Sequence, residues 1–318
     1  MADALLRAGY RVRALVRHNG ATQERGRRPD VVPSGVEIVE GDLTRSGELA
    51  RALDGCRYLV HCAALYSFAP RLRADIERVN VAGTASLLDA AYVAGVERAV
   101  VTSSSATVGP ARNGHLATEA DRAPEEHHSA YHRSKILQER IAGAARVETV
   151  LVLPTTPVGP RDAKPTPTGR LVVDFARGRI FARPPATGGL NLVAVEDVAA
   201  AHVAGLQRGR ARERYLIGGE NLSYDELWRA LGEATARPVP RWMIPYGVAI
   251  ALAYADEARC RLLTAAEPMV PLEGVRMSRL RMHVECAKAR DELGFHPTSV
   301  RAALARAVAW YRGHGYLN

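Results

Sequence analysis

Short apolar runs alternate with amphipathic segments along the first half of the chain. The apolar runs are rich in valine and leucine and end at glycine, proline or charged residues, which is typical of buried strands. Between them, apolar residues recur every three or four positions, as on one face of a helix. The predicted strands are Tyr10–Val16, Val36–Val39, Tyr58–Cys62, Arg98–Thr102 and Glu148–Leu153, and the predicted helices are Gly47–Leu53, Ile76–Ala94 and Ala130–Ala144. This alternation predicts an α/β fold with right-handed crossovers and a doubly wound parallel sheet.

The pattern changes in the second half, where proline and glycine cluster between Pro154 and Gly169. Further helices are predicted over Glu196–Gln207, Tyr224–Ala236, Pro245–Leu263 and Ser299–Arg312. We therefore expect a domain over 1–165 that holds the sheet and a smaller, mainly helical lobe over 166–318. Segments at about 190–220 are expected to return to the first domain. The lobe would cover the carboxyl edge of the sheet, where ligands bind in open α/β folds.

Composition excludes several classes of protein. The net charge is +9, but the arginines are scattered and no basic block alternates with aromatic residues, so we expect no nucleic-acid binding. The four cysteines show no paired spacing, which predicts a reduced, cytoplasmic protein. The longest apolar stretch, around Tyr246–Tyr254, is too short for a transmembrane segment, and Met1–Asp3 leads into a helical pattern without a signal peptide.

Tyr131 and Lys135 have the clearest chemistry in the chain. They stand four positions apart in the helix predicted over Ala130–Ala144, so their side chains lie on one face, one turn apart. A lysine ammonium beside a phenol stabilises the phenolate and lowers the pKa of the phenol. Such a tyrosine can exchange a proton near neutral pH, as a general acid or base must. Three serines, Ser103–Ser105, follow the strand upstream.

A metal site is the weakest candidate. His127, His128 and His132 lie close together in the sequence, but no set of cysteine, histidine and carboxylate residues has the spacing of metal ligands. We therefore expect no bound metal.

With Ser105, Tyr131 and Lys135 placed, the chain resembles the extended short-chain dehydrogenase/reductase family, the NAD(P)-dependent epimerase/dehydratase superfamily. The resemblance covers nearly the whole chain and implies a Rossmann-like, dinucleotide-binding first domain and a substrate-binding lobe. The second half looks most like the hopanoid-associated sugar epimerases, which are close to the dihydroflavonol reductases. The runs that carry this likeness are Gly159–Arg170, Gly189–Val193 and Glu213–Leu222.

The resemblance implies roles for individual residues. Ser105 would bind the reacting carbonyl or alcohol, Tyr131 would exchange the proton, and Lys135 would hold the nicotinamide ribose and lower the pKa of Tyr131. Other residues would contact the cofactor: Asp42 and Leu43 at the adenine, Cys62, Ala63 and Ala64 in a turn of small residues, Asn80 on a long helix, Thr102 and Ser103 at a strand end, and Pro154 and Thr156 near the nicotinamide. Alternatively, Asp42 only caps the next helix and Asn80 is a buried amide bonded to neighbouring loops.

Arg17 follows the first predicted strand, where this fold distinguishes NAD from NADP. An acidic residue there binds the ribose hydroxyls of NAD, whereas an arginine accommodates the 2′-phosphate of NADP. The chain has no acid between Arg17 and Glu24, so NADP(H) is favoured over NAD(H). The alternative is an exposed arginine without a role in an arginine-rich chain.

The start of the chain lacks a part that the resemblance requires. Met1–Ala8 has the pattern of the back half of a helix ending at Gly9, and no glycine-rich turn precedes Tyr10. Such a turn lets the backbone approach the pyrophosphate, and the strand before it is central in the sheet. We expect that about 15 residues are absent: a strand, the turn and one helical turn. Either the start codon was assigned late, which we favour, or the sheet closes up and nucleotide binding is impaired.

Three functions remain open. The first is an NADP-dependent reductase or dehydrogenase for a secondary alcohol or ketone of a sugar or polycyclic lipid, with Lys164, Arg170, Arg183 and Asn191 as candidate substrate contacts. The second is an epimerase or dehydratase that retains its cofactor and returns the hydride. The third is a binding protein with impaired catalysis because the phosphate loop is missing. The expected partner is a small-molecule substrate, and a homodimer remains open.

Overall fold

The computed structural model describes residues 1–17, 32–67, 69–111, 114–125, 129–183, 187–262 and 268–317. The first half contains α1 (Ala2–Arg7), β1 (Val12–Val16), β2 (Val36–Glu40), α2 (Ser46–Leu53), β3 (Tyr58–His61), α3 (Arg73–Glu77), α4 (Gly83–Val93), β4 (Arg98–Thr102), α5 (Ala130–Ala144) and β5 (Glu148–Pro154). A π-helical turn, Arg78–Ala82, joins α3 to α4. The five strands of this half and the helices α2 and α5 confirm the predictions from the apolar pattern. In place of the single long helix expected over Ile76–Ala94, the structure has α3, the π-helical turn and α4 in succession.

The second half contains β6 (Thr156–Val158), α6 (Pro167–Ala176), β7 (Ala182–Arg183), β8 (Gly189–Ala194), α7 (Val195–Arg208), β9 (Arg214–Ile217), β10 (Glu220–Ser223), α8 (Tyr224–Thr235), β11 (Trp242–Met243), α9 (Tyr246–Leu262), α10 (Leu272–Met277), β12 (Arg281–Met282), α11 (Ala287–Leu293) and α12 (Val300–Gly313). The proline-rich stretch 154–169, where no helix or strand was predicted, holds β6 and the start of α6. Thr166 caps α6 by accepting the Gly169 N–H at 3.2 Å, and Pro167 occupies its first turn. The lobe is also less helical than expected, because β8 lies in a mixed sheet with β6, β10 and β12.

Four parallel strands form the sheet that positions the site, in the order β3-β4-β5-β9. Alternate residues face opposite sides of this sheet: Val101 and Leu151 pack toward α2, α4 and α5, whereas Val100 and Val150 pack toward α1, α7 and α11. Burial on both faces explains the nearly continuous apolar runs, and it confirms the doubly wound α/β fold. Because the strands are parallel, their carboxyl ends meet along one edge.

The first two strands form a separate parallel pair, β1 with β2. Among the described strands, β1 and β3 are not hydrogen-bonded to each other, although the rings of Tyr10 and Tyr58 lie 6.0 Å apart. Gly9 adopts the expected left-handed conformation, with φ at 84°, after α1. The pair β1-β2 is thus a sheet of its own in the described chain.

Helices α9 and α10 form a small unit of the lobe around the buried side chains of Ala249, Ala253 and Val275. Helix α8 is fixed at its start by a capping box, in which the Ser223 and Glu226 side chains each bond the other's backbone N–H. No helix in the described part of the chain is both long and apolar enough to cross a membrane.

Candidate active site

Tyr131 lies in the first turn of α5, beside the carboxyl edge of the parallel sheet. The ring of Tyr66 packs against its ring, with 4.3 Å between the centroids. The side chain of Ser104, from the turn after β4, forms a hydrogen bond with the phenol. Burial raises the pKa of Tyr131 to about 12, and the hydrogen bond with Ser104 opposes that shift. The phenol is therefore protonated at neutral pH and can act as a proton donor.

Lys135, one turn after Tyr131, is almost fully buried. Its ammonium donates to the Thr102 carbonyl at 2.8 Å and to Gln138 Oε1 at 2.7 Å. Burial lowers the pKa of Lys135 to about 8. Lys135 is not among the groups that shift the pKa of Tyr131, so the expected lowering of the phenol pKa by this lysine is wrong for this structure, where burial dominates.

Gln138 connects Lys135 to buried side chains on two other elements. Its Nε2 donates to Thr84 Oγ1 at 2.9 Å, and the Thr84 hydroxyl donates to the Asn80 carbonyl at 2.7 Å. His61 Nε2 lies 2.8 Å from Thr84 Oγ1 and 3.3 Å from Gln138 Nε2, so its ring joins the same network. Burial lowers the pKa of His61 to about 3, so its ring is neutral. The network ties Lys135 to β3 and α4.

A second network fixes the serine-rich turn after β4. Glu139 Oε1 accepts the Ser103 hydroxyl at 2.5 Å and the Thr107 hydroxyl at 2.6 Å. Arg214, at the start of β9, places Nε 2.9 Å from Glu139 Oε2 and donates to Thr107 Oγ1 at 3.0 Å. Both members of this ion pair are largely buried. Ser104 and Ser105 are thereby held between two anchored residues, Ser103 and Thr107.

A third contact joins the end of β4 to α7. His202 Nδ1 donates to the Val198 carbonyl at 2.7 Å, so Nε2 accepts the Thr102 hydroxyl, also at 2.7 Å. Burial lowers the pKa of His202 to about 4, which keeps the ring neutral. Thr102 Oγ1 also lies 3.3 Å from Cys62 Sγ, so the carboxyl ends of β3 and β4 are linked through side chains.

Cys62, Ala63 and Ala64 are exposed directly after β3, on the same edge as Lys135. Two of the three ammonium protons of Lys135 are accepted by Thr102 and Gln138, and the third has no acceptor among the described residues. An open turn of small residues and a spare ammonium donor fit the nicotinamide ribose of a dinucleotide. Desolvation of the sulfur atom raises the pKa of the Cys62 thiol, although the residue as a whole is exposed.

At the far end of this edge, Arg17 and Asp42 follow the neighbouring parallel strands β1 and β2. Asp42 Oδ1 accepts the N–H and hydroxyl of Thr44, which lowers the pKa of the carboxyl, and Arg17 and Arg78 add to that shift. Asp42 thus forms a local turn with Thr44 and does not cap α2, whose N-cap residue is Arg45 and has no side-chain cap bond, so the helix-capping alternative is wrong. Arg17 is exposed beside it, whereas the Leu43 side chain is buried against Gly83.

The side chain of Asn80 is fully buried and used within the protein. Its amide accepts from the Leu65 N–H at 2.7 Å and donates to the Leu65 carbonyl at 3.1 Å and to Ser134 Oγ at 3.0 Å. The structure thus matches the alternative expectation of a buried amide that bonds to a neighbouring loop. Its effect on the site is to hold the turn before Tyr66 against α5.

The chain from residue 1 to 218 matches the model of the NAD dependent epimerase/dehydratase family. The chain belongs to this family. It is 38% identical over 98% of its length to a Synechocystis sp. protein named "Putative dihydroflavonol 4-reductase", of which it covers 91%. It is 34% identical over 99% of its length to "Sterol demethylase protein B" of Methylococcus capsulatus, of which it covers 94%. The crystal structure of gox2253 superimposes with a TM-score of 0.83 at 34% identity, covering all of this chain and 95% of the other.

The four residues predicted to contact substrate do not lie beside Tyr131 through any described contact. Asn191 is buried, and its amide bonds Thr155 at 2.8 Å, the Gly219 N–H at 2.9 Å and Asn221 at 2.9 Å, so it joins strands and has no exposed group for a substrate. Arg183 forms an ion pair with Asp225 in the lobe. Two further candidates, Lys164 and Arg170, are exposed near the start of α6, and no described contact joins them to Tyr131.

The remaining predicted residues lie at the sheet edge or outside the described part. Pro154 is buried at the end of β5, Thr156 is half-buried at the start of β6, and Ser105 is half-buried in the turn that Ser104 caps. His127 and His128 lie outside the described residues. Within the described ranges, no three histidine, cysteine or carboxylate side chains are grouped as a metal site.

Sequence reasoning missed four kinds of residue at the site: the hydrogen-bond partner Ser104, the stacking partner Tyr66, the lysine anchor Gln138 and the ion pair of Glu139 with Arg214. Gln138 and Glu139 follow Lys135 by three and four positions, so the helical face that holds Lys135 could have indicated them. Tyr66 follows the turn of small residues and could have been found from that position. Arg214 carries no local signal.

Proposed function

We propose that this chain is a reductase or dehydrogenase that transfers a hydride between NADP(H) and a secondary alcohol or ketone, with Tyr131 as the general acid/base. The observation that carries the proposal is the placement of Tyr131, the Ser104–Ser105 turn and Lys135 together at the carboxyl edge of a parallel sheet. The nicotinamide supplies or takes the hydride. The protein's own task is to hold the substrate oxygen and to move one proton at that oxygen.

In the reducing direction, Tyr131 Oη donates its proton to the substrate oxygen, and Ser105 donates a hydrogen bond to that oxygen. The raised pKa of Tyr131 favours the protonated phenol that this direction needs. Ser104 bonds the phenol oxygen and would stabilise the phenolate left behind. Lys135 would hold the ribose with its third ammonium proton. Its bonds to the Thr102 carbonyl and to Gln138 fix the position of the ammonium at the carboxyl edge of the sheet.

NADP(H) is favoured because Arg17 is exposed at the end of β1, where the adenosine ribose of a dinucleotide is bound in this fold. An arginine there can form a charge-assisted pair with a 2′-phosphate. Asp42 and the backbone of Leu43 would meet the adenine, and the turn Cys62–Ala64 would lie under the nicotinamide half.

For the substrate we propose a cyclic secondary alcohol or ketone, either in a polycyclic lipid or in a sugar. The relatives named for dihydroflavonol and sterol chemistry support ring substrates of low polarity. The aromatic face of Tyr66, 41% exposed beside Tyr131, supports the same class, because it offers an apolar surface to a ring.

An epimerase or dehydratase that retains its cofactor is the second candidate, favoured by the family to which the chain belongs. Such an enzyme would also use Tyr131 and Lys135, but it would return the hydride to the substrate. The two candidates therefore differ in whether the nicotinamide is consumed.

The test is an incubation of the purified chain with NADPH, or with NADP⁺, and one of three substrates: a sterol 3-ketone, a dihydroflavonol or a nucleoside-diphosphate sugar. A reductase oxidises NADPH in proportion to alcohol formed. An epimerase or dehydratase converts the substrate without net change in nicotinamide absorbance. Absence of both outcomes with saturating cofactor, while the cofactor is bound, would reject catalysis and leave the binding-protein hypothesis.

A further inference from the structure

The lobe exposes an unusual concentration of large apolar side chains. Of the fourteen that are exposed in the described chain, seven lie between Trp242 and Met269. Trp242 is 79% exposed, and Phe181, the residue directly before the strand segment that pairs with Trp242, is 78% exposed. Single exposed apolar residues are ordinary, whereas a cluster of them indicates an interaction surface.

Helix α9, which begins three residues after β11, also carries exposed apolar residues. Its residues 246–255 include no charged side chain, and one stripe of the helix is exposed and apolar along its whole length. The stripe consists of Val248, Ala251, Leu252, Ala255, Ala258 and Leu262, which recur every three or four positions. The opposite stripe, Ala249 and Ala253, is already buried against α10. The exposed stripe is therefore available in addition to the face that α9 needs for folding.

Four arginines border the apolar surface without a carboxylate partner among the described residues: Arg237, Arg241, Arg276 and Arg279. Arg276 donates to Tyr254 Oη at 3.1 Å, and the Arg279 guanidinium lies 4.5 Å from the centroid of the Tyr246 ring. Arg237 lies against Gly178, three residues before Phe181. Other exposed arginines of the described chain, such as Arg7, Arg170 and Arg312, also lack a carboxylate partner, so what distinguishes these four is their position at the rim of the apolar surface.

We propose that Phe181, Trp242, Met243 and the exposed stripe of α9 form a docking surface for an anionic lipid bilayer. Tryptophan and phenylalanine partition into the interface between headgroups and acyl chains, and a neighbouring arginine rim is attracted to anionic lipid. A protein partner would not need four cations around one apolar surface, and a second copy would bring the same cations together at short range. The proposal goes beyond the proposed function and does not depend on it.

Helix α9 is connected to the candidate active site through α10. Helix α10, which packs on α9, carries Glu273, whose carboxylate lies 3.9 Å from His132 Nδ1, next to Tyr131. Docking through α9 would therefore bring the bilayer to the same lobe that flanks the catalytic tyrosine.

The experiment uses the intact chain and vesicles of phosphatidylcholine, with and without phosphatidylglycerol. Trp242 is the exposed one of the three tryptophans, since Trp228 is buried and Trp310 half-buried, so its emission reports on the surface. We expect a blue shift and co-flotation with the phosphatidylglycerol vesicles, both reduced by salt. Trp242→Ser combined with Leu252→Ser should lower the partition coefficient by about tenfold or more. The matched control is Val93→Ser, an exposed apolar residue on α4.

Three results would overturn the proposal. The first is no flotation with phosphatidylglycerol vesicles at low salt. The second is flotation that the double variant leaves unchanged. The third is a blue shift that grows with protein concentration in the absence of vesicles, together with dimers in analytical ultracentrifugation that Trp242→Ser abolishes, because the occupant is then a second copy. A further pair, Arg237→Ser and Arg241→Ser, should weaken binding to anionic vesicles, and equal binding to neutral vesicles would contradict the anionic assignment.

Discussion

Helices α5 and α9 depart from the ordinary distribution of residues in opposite ways. Helix α5 buries Ser134, Lys135 and Gln138, whereas α9 leaves Val248 and Leu252 exposed to solvent. Buried polar groups and exposed apolar patches are uncommon in folded proteins, so each indicates a role, whereas buried apolar and exposed polar residues are ordinary. In α5 the buried groups are satisfied by partners on β3, β4 and α4, so their polarity serves to hold a chemical site. In α9 the apolar groups have no cover, so they are available to something outside the chain.

The largest effect should come from the Tyr131 hydroxyl of α5, the proposed proton donor. Replacing Tyr131 by Phe keeps the ring packed on Tyr66 and removes only the group that moves the proton. We expect turnover with NADPH to fall by about 10²–10⁴, with an unchanged melting temperature. Tyr92→Phe, on α4, is the control and should keep full activity. Near-normal turnover in Tyr131→Phe would break the assignment of α5 to catalysis.

The next effect concerns stability and tests whether the buried polarity around α5 is structural as well. Arg214→Met leaves the Glu139 carboxylate buried without its cation, which should reduce the free energy of unfolding by about 3–5 kcal/mol. The control is Arg210→Met, whose exposed pair with Glu292 should change it by at most about 1 kcal/mol. Urea unfolding measures both. If both variants lost a similar free energy of unfolding, burial of the Glu139–Arg214 pair would not add to its contribution to stability.

The next prediction concerns the exposed cation Arg17. It tests whether function depends only on buried polar groups such as those of α5. We expect the chain to bind NADPH more tightly than NADH and Arg17→Asp to reduce that preference by about tenfold or more, since a charge-assisted phosphate contact is lost. Cofactor titration followed by fluorescence gives both affinities. Arg7→Asp on α1 controls for net charge. A preference for NADH in the unaltered chain would refute the role of Arg17.

The last prediction is a pH dependence of stability that comes from the neutral histidines beside the site. The pKa of His61 is lowered to about 3 and that of His202 to about 4, so the unfolded chain takes up protons below pH 6.5 while the folded chain does not. Stability is thus complete above pH 6.5 and falls as the pH drops toward 4, by about 1.4 kcal/mol per unit for each histidine. His202→Gln should make this slope shallower, whereas His115→Gln, at an exposed position, should leave it unchanged. An unaltered slope in His202→Gln would mean that another group is responsible.

The sequence was sufficient where local periodicity decides the structure. Strands β3, β4 and β5 and the bounds of α5 follow from apolar spacing, whereas β9 is not predicted, and the fold then brings Tyr131, Lys135 and the serine-rich turn to one edge. Helix α6 was hidden because Pro167 and Gly169 normally interrupt helices, although Thr166 and Pro167 are also signals for a helix start.

Contacts between distant segments could not be predicted. The pairs Thr102 with His202 and Glu139 with Arg214 depend on how β9 and α7 return to the first sheet, and no spacing within one segment encodes them. Asn191 shows the converse error. An asparagine near the sheet edge was assigned to substrate, but its amide is used to join β8 to neighbouring strands.

Arg214 is synthesised after all the other residues of the candidate site, and this order has a consequence for folding. A nascent chain that extends only to the end of β5 already contains Ser105, Tyr131 and Lys135, but Glu139 lacks its cation and the turn at Thr107 lacks its arginine donor. Both arrive when β9 pairs with β5. The turn after β4 therefore cannot form its contacts with Arg214 until residue 214 has been synthesised. A fragment that ends before β9 should fold no working site, however complete its list of catalytic side chains.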